Sequence, residues 1–491
     1  MRKVDPRDVR IAELETQLRE RDEVIARQRA EIEELRAQVR ALKAEMEEME
    51  ELKARLGQSS RNSHKPPSSD GPGVKRGKSK RRGSRRPGGQ PGHKHAQREL
   101  LPEEEVDEVV PLVPTRCERC GGQVSSGQQC PAAHRHQVWE VPEVKPYVKE
   151  YQLGHGWCGE CGVWTRAPLP KGVPRGAFGP RLMALVGLLT GRLRMSKRLV
   201  REFLSSVLGM EVSLGGISKL EAALSAALQR PYEEALEYVR EQLHVHADET
   251  SWRQALKKAW MWVLATLLVT AFAINPRRSG EAARALLGDN PVSFLVSDRW
   301  SGYDWTDVHL RQVCWAHPRR DFQGWADRQG EARAIGQRLL RQVRRLFHLH
   351  HQRERGELEQ AHYRELMAGV EGRVDALLRQ AQQCPDKKVA GMAKAMLRLR
   401  PALWNFVDVE GLEPTNNRAE RALRPAVCMR KVSFGTHSAR GSRFVERLLT
   451  VSTTLQQQGR DVLQFLTAAA QGRLDGTAPP SLLPSAMPLG P

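Results

Sequence analysis

Leu243 to Trp252 reads LHVHADETSW, and the rest of the fold follows from how this stretch is interpreted. Leu243, Val245 and Ala247 alternate with His244, His246 and Asp248, the period of two that separates the faces of a β-strand. The run stops on two adjacent carboxylates, Asp248 and Glu249. A strand ending in an acid can hold a metal ion, because the sheet fixes the oxygen atoms; a helix N-cap or surface turn is the plain alternative. Downstream, Ala259–Leu267 and Val269–Ile274 suit two neighbouring strands, and Asn275-Pro276 breaks the run. Ser279 to Leu287 reads as a short amphipathic helix capped by Ser279. Val292 to Ser297 is a further buried strand that also ends on a carboxylate, Asp298, and His309 to Cys314 supplies a fifth. Three strands, a helix, a strand, a connection and a strand suit a mixed α/β sheet in which strands one and four lie side by side.

Two strands ending in aspartate, followed by a helix bearing a glutamate, make a carboxylate cluster that suits hard cations. Mg²⁺ (or Mn²⁺) takes oxygen ligands and keeps open positions for water and phosphate. Two such ions roughly 4 Å apart can activate an attacking oxygen and stabilise a leaving one on a phosphodiester. Spacing does not choose the third acid: Glu249, Glu281, Glu413 and Glu420 all compete.

The chain has 491 residues, of which 28% are charged, with a net charge of +20. That excess points to a polyanionic partner, DNA or RNA first and an acidic membrane surface second. The charged N-terminus is no secretory signal, and the apolar run Ala259–Ile274 is short of a membrane span. The expectation is a cytoplasmic, nucleoid-associated protein. Residues 1–57 carry a heptad with Ile11, Leu18, Ile25, Ile32, Val39, Met46 and Lys53 at a, and Leu14, Arg21, Gln28, Leu35, Leu42, Met49 and Leu56 at d. β-Branched a positions with Leu at d favour a parallel two-stranded coiled coil, hence a dimer; a single helix lying on the body is the alternative. Residues 58–100 form a basic linker, expected to be disordered, in which Lys75, Arg76, Arg81, Arg82, Arg85 and Arg86 suit a phosphate-binding arm. Residues 101–170 hold Cys117-x-x-Cys120 and Cys158-x-x-Cys161. Each pair turns two thiolates toward one point, and together they suit a structural Zn²⁺ in a zinc-ribbon-like module. Residues 171–240 are helical, with a helix-turn-helix-like break at Ser213–Ser218 and a second helix from Ile217. A core in two parts, 241–325 and 402–450, is split by a helical insertion at 326–401. Arg421, Arg424, Arg430 and Lys431 make its second part basic enough to meet phosphates. An amphipathic helix and a Pro-rich tail, expected to be loose from Pro479, fill 451–491.

Several motifs in fixed order carry a resemblance. They are Asn62-Ser-x-Lys65-Pro-Pro-Ser-Ser-Asp70, Gly88-Gly-Gln-Pro-Gly-His93, the paired CxxC segments and His246-x-Asp-Glu-Thr250. Ser297-Asp-x-x-x-Gly-Tyr303, Cys314-x-Ala-His317 with Arg319-Arg320, and Asn416-Asn-x-x-Glu-Arg421 with Arg430-Lys431 follow. Together they resemble the DDE-type transposases of the insertion sequence 66 family over nearly the whole length. The resemblance implies a multidomain α/β chain with a ribonuclease-H-like core and the catalytic triad Asp248, Asp298 and Glu420. It implies strand cleavage at the terminal repeats of an element, leaving a 3′-hydroxyl, and attack of that hydroxyl on target DNA. Double-stranded DNA, a second copy of the chain and accessory proteins of the element are the partners it implies. A non-catalytic DNA-binding regulator and a metal-dependent nuclease without strand transfer are the competing readings. His317 and Cys314 could contact metal or DNA, or be structural; Trp252, Trp300 and Trp315 suit the core or a stacked base.

Overall fold

The computed structural model describes residues 6–63, 70, 98–124, 134–288 and 293–484, and the chain divides into two compact units. The smaller comprises residues 75–150 and 203–211, the larger 1–74, 151–202 and 212–491. In the smaller unit Cys117 accepts a bond from Gly121 N (2.9 Å) on its carbonyl, and its own N donates to Gly122 O (2.8 Å), closing a tight knuckle. The basic arm from Lys75 to Arg86 lies outside the described residues.

The larger unit opens with α1 (Pro6–Leu56), one helix of 51 residues. Its heptad residues Ile11, Leu14, Leu18, Ile25, Ile32, Leu35, Val39 and Leu42 are all exposed, so the apolar stripe is uncovered within the chain rather than laid on the body. A hairpin of β1 (His155–Trp157) and β2 (Trp164–Arg166) follows, with Trp157 and Trp164 edge to face at 5.6 Å. Next come α2 (Pro180–Gly187), a π-helical turn at Leu188–Arg192, α3 (Lys197–Leu208), α4 (Leu214–Ala227) and α5 (Gln229–Arg240). α4 begins at Leu214 rather than Ile217, because Ser213 Oγ caps it by accepting from Gly216 N at 3.0 Å.

The sheet consists of β3 (His244–Gln254), β4 (Lys257–Ala265), β5 (Thr270–Asn275), β6 (Phe294–Ser297) and β7 (Arg311–Val313), with α6 (Gly280–Leu287) between β5 and β6. Its order is β5-β4-β3-β6-β7. β3 to β5 are antiparallel neighbours, and β6 and β7 run parallel to β3. The first and fourth strands are therefore adjacent, as expected. Two details differ from the sequence reading. β3 does not stop at Asp248 but stays paired with β4 as far as Gln254, since the hairpin holds that side after β6 has ended. The fifth strand is short, because Val308–Leu310 form a 3₁₀ turn.

After β7 come α7 (Ala316–Ala326), α8 (Gly330–Glu354), α9 (Gln360–Gln382), α10 (Lys387–Arg398) and α11 (Arg400–Trp404). Ile335, Leu339, Leu346, Met367, Val370, Leu378, Val389 and Met396 form a core that joins the sheet through Val296, Val313 and Trp315. Gly336 lets α8 cross α7 closely: a Cβ there would sit 2.5 Å from Ala326 N and 2.8 Å from Phe322 O.

α12 (Asn417–Ser433), α13 (Ala439–Gln457) and α14 (Val462–Asp475) complete the unit. α13 closes the edge of β5, where alternate amides would otherwise face solvent unpaired. Glu446 Oε1, Thr450 Oγ1 and Thr454 Oγ1, one face of the helix at a spacing of four, accept from Ile274 N (2.5 Å), Phe272 N (2.9 Å) and Thr270 N (3.0 Å). The loose tail expected from Pro479 is not what residues 479–484 do. Leu482 is fully buried and its carbonyl accepts from Gln458 Nε2 at 3.0 Å.

Candidate active site

β3 and β6 pair in parallel with His244 opposite Phe294, Val245 opposite Leu295 and His246 opposite Val296. Two steps further in that register stand Asp248 and Asp298, one still within β3 and the other just past β6. Asp298 Oδ1 accepts from Trp300 N at 2.9 Å, and Asp248 Oδ1 accepts from Glu249 N at 2.9 Å. The loop carrying Asp298 is tied down by Arg311 of β7, which is only 1% exposed. Its Nη2 donates to Asp298 O (2.9 Å) and Trp300 O (3.2 Å), while Nη1 pairs with Asp304 Oδ1 at 2.9 Å. A buried guanidinium with its donors spent on carbonyls and a carboxylate makes a rigid support.

Glu420 comes from the first turn of α12, and the start of that helix is fastened by Asn416, 1% exposed. Asn416 Nδ2 donates to Ala247 O (2.7 Å), the carbonyl next to Asp248, and its backbone N donates to Cys314 Sγ (3.1 Å) at the end of β7. Asn416 Oδ1 lies 3.3 Å from His246 Nδ1, a contact that selects the tautomer protonated there. Burial pushes His246 down to about 4, so it is neutral at pH 7. Sequence reasoning placed Asn416 in a motif without giving it this role, and it passed over Arg311, a charged residue set between Leu310 and Val313.

The acids feel one another's charge. Burial holds the Asp248 carboxyl well above its ordinary range, and the charges of Glu249, Asp298 and Glu420 add to the effect. Glu420 is raised by burial and by Asp298, against the opposing pull of Arg320, whose Nη2 is 3.9 Å away. Three carboxylates in one field favour a cation among them, and an all-oxygen donor set fits Mg²⁺ or Mn²⁺. Glu249, the fourth acid, is otherwise engaged. It receives Arg278 Nε (2.7 Å) on Oε1 and Tyr303 OH (2.8 Å) on Oε2, and its side chain is 2% exposed. Of the remaining rivals, Glu413 pairs with Arg418 at 2.5 Å and Glu281 sits in the first turn of α6.

The basic residues of α12 divide. Arg421, Arg424 and Lys431 are exposed, whereas Arg430 turns inward to Thr250 Oγ1 (3.0 Å) and Ser251 O (2.7 Å) and fastens α12 to β3. Trp252 and Trp315 are core. Trp300 is half-buried beside Asp298, stacked under Arg278 at 4.3 Å, and lines a cavity of about 460 Å³ with Trp305 and Arg284. Of the cysteines, Cys158 repeats the knuckle of Cys117, with Gly162 N donating to Cys158 O (3.0 Å) and Cys158 N to Val163 O (3.0 Å). Backbone amides of the following residues lower the thiols of Cys117 and Cys158 alike, the shape and polarity that a thiolate ligand needs. Among the described residues, Cys314, His317 and Glu420 are the one set of metal donors whose ligand atoms all lie within 4.8 Å of one another, and neither Asp248 nor Asp298 joins it at that spacing. No helix among the described residues is long and apolar enough to cross a membrane.

Comparison with known proteins bears on the same region. A family of unknown function (DUF6444) matches residues 5–99. The uncharacterized protein y4qI of Sinorhizobium fredii is 28% identical over 302 residues, covering 54% of this chain and 54% of its own length. The chain thus spans about half the length of that curated relative. The Transposase IS66 family matches residues 175–443, from the helices before β3 to the start of α13. That match takes in more than half of the chain, all five strands and all three carboxylates, and the chain belongs to the transposase family that its motifs resemble.

Proposed function

We propose that the protein cleaves DNA strands at the ends of its own element and joins the released 3′-hydroxyl to target DNA. Asp248, Asp298 and Glu420 are the residues to which we assign the divalent metal. Bound Mg²⁺ or Mn²⁺ would activate the attacking oxygen and relieve charge on the leaving one. The observation that supports this reading is the parallel β3–β6 pairing, which ends at His246 and Val296, two residues before Asp248 and Asp298, together with the charge of Asp298 and Glu420 felt at Asp248. The strand order β5-β4-β3-β6-β7 supports a ribonuclease-H-like core, in which α8 to α11 are the insertion between the second aspartate and the glutamate. Arg421, Arg424 and Lys431 are exposed along α12, the helix that carries Glu420, and suit the phosphates of double-stranded DNA, as do Lys75, Arg76, Arg81, Arg82, Arg85 and Arg86. Arg430 works instead as a clamp between α12 and β3.

Two further assignments complete the reading. The knuckles of Cys117–Cys120 and Cys158–Cys161 each offer a pair of thiolates suited to a structural zinc. The uncovered stripe of α1 pairs two chains in a parallel coiled coil.

The test uses purified protein, Mg²⁺ and DNA carrying the element's terminal repeats. The parent cleaves and joins, and Asp298→Asn does neither while still binding the DNA. Cleavage without joining would reduce the protein to a nuclease. An Asp298→Asn variant as active as the parent would overturn the assignment.

A further inference from the structure

We propose that Cys314, His317 and Glu420 form a second metal site, selective for a thiophilic divalent cation such as zinc, whose filling withdraws Glu420 from Asp248 and Asp298. The inference rests on the reading of Glu420 as the third metal-binding acid of the active site. One sulfur, one imidazole nitrogen and one carboxylate oxygen, all within 4.8 Å of each other, are the donor types that zinc takes. Three protein ligands leave its fourth position open to water. Asp248, Asp298 and Glu420 offer oxygen only and suit Mg²⁺, so the two sites differ in metal while sharing one ligand.

The local backbone favours this use. Cys314-Trp-Ala-His317 turns sharply from β7 into α7, with His317 N donating to Cys314 O at 3.2 Å. The two donors thus stand at the sequence spacing of the CxxC pairs, with the second in the first turn of α7. Cys314 Sγ already accepts the Asn416 amide at 3.1 Å, an N–H···S bond of the sort that steadies a thiolate ligand. The same Asn416 starts the helix that brings Glu420 to the group. Binding expels the thiol proton to solvent, so each metal taken up releases one proton from Cys314. Zinc at this position is therefore expected to inhibit a Mg²⁺-dependent reaction rather than support it, since it competes for Glu420.

Cobalt(II) on the full-length protein reads the site directly, through its thiolate charge-transfer and tetrahedral d–d bands. The four knuckle cysteines are present in parent and variants alike, so the difference between them reports Cys314. The parent should take up one more equivalent of cobalt than Cys314→Ser or His317→Gln. Added zinc should slow parent cleavage at least about tenfold, the scale on which zinc affinity responds to losing a supporting group. The ratio of rates with and without zinc should approach one in either variant. Should Cys314→Ser fail to fold, His317→Gln carries the same comparison. Equal cobalt uptake by parent and variants overturns the proposal, as does an unchanged zinc ratio. Glu420→Gln separates this idea from the catalytic one. If it loses the extra cobalt yet cleaves DNA like the parent, the second site stands and the catalytic role of Glu420 falls. If it is inactive while Cys314→Ser binds cobalt as the parent does, the reverse holds.

Discussion

Replacing Asn416 by alanine should uncouple Glu420 from the two aspartates without touching any of the three acids. The substitution removes the bond from Nδ2 to Ala247 O at 2.7 Å and the contact of Oδ1 with His246 Nδ1 at 3.3 Å. Both partners are buried, and an unpaired buried polar group costs about 1–3 kcal/mol. The expected loss of stability is therefore about 2–4 kcal/mol. The bond from the backbone N to Cys314 Sγ survives, so α12 should shift rather than unfold. A displacement of about 1 Å at a reacting centre can cost about 100-fold in rate. Urea unfolding gives the first quantity and single-turnover cleavage with Mg²⁺ the second. The rate should fall while the KM for DNA stays within about twofold, because the exposed arginines of α12, to which we assign DNA binding, are unchanged. If the variant is destabilised by the stated amount but cleaves at the parent rate, Asn416 is only a brace of the fold, and the account of how Glu420 is positioned is wrong.

Three further outcomes are expected. Burial pushes the Glu446 carboxyl up to about 7 from an ordinary value near 4.5. A raised folded-state value means that the folded protein holds an extra proton between those limits, so stability is full below about 4.5 and falls as pH rises through 7. Glu446→Gln keeps an acceptor for Ile274 N and should remove up to about 3 kcal/mol of that decline, seen as a flatter plot of urea midpoint against pH; an unchanged slope would contradict the reading of the β5 edge. Leu35→Lys with Leu42→Lys, at successive d positions of α1, should turn a dimer into a monomer by light scattering, since each buried Leu contributes about 1.5–3 kcal/mol; an unchanged mass would rule out the coiled coil. The parent should carry about one tightly held zinc per chain more than Cys117→Ser; equal zinc in both would place the metal elsewhere.

The parts of the fold that follow from local chemistry were readable in the sequence. The period of two in LHVHAD, the apolar runs of β4 and β5 and the serine cap of α6 each depend on neighbours in the chain. The adjacency of β3 and β6 followed from the order of elements, because a crossover through α6 returns a strand in parallel. Less legible were the features made by distant residues. That β3 continues past Asp248 is decided by β4, whose hydrogen bonds outlast those of β6. The brevity of β7 is set by a 3₁₀ turn and by Arg311 and Gln312, polar residues that are 1% and 0% exposed and would read as a surface turn. Local pattern could not separate Glu420 from Glu249, because the difference lies in partners far away in sequence. Arg278 and Tyr303 engage Glu249, and Asn416 delivers Glu420. The inward turn of Arg430 was hidden for the same reason: a basic helix looks solvated until the strand beneath it is known.

The central claim, that Asp298 is a metal ligand of a DNA-cleaving site, is tested most directly by changing the metal preference of that one position. Asp298→Cys replaces a hard oxygen by a sulfur that Mg²⁺ binds poorly and Mn²⁺ tolerates. Cleavage of terminal-repeat DNA by this variant should be absent with Mg²⁺ and regained with Mn²⁺, while the parent works with both. A variant that cleaves as the parent does with Mg²⁺ would contradict the account.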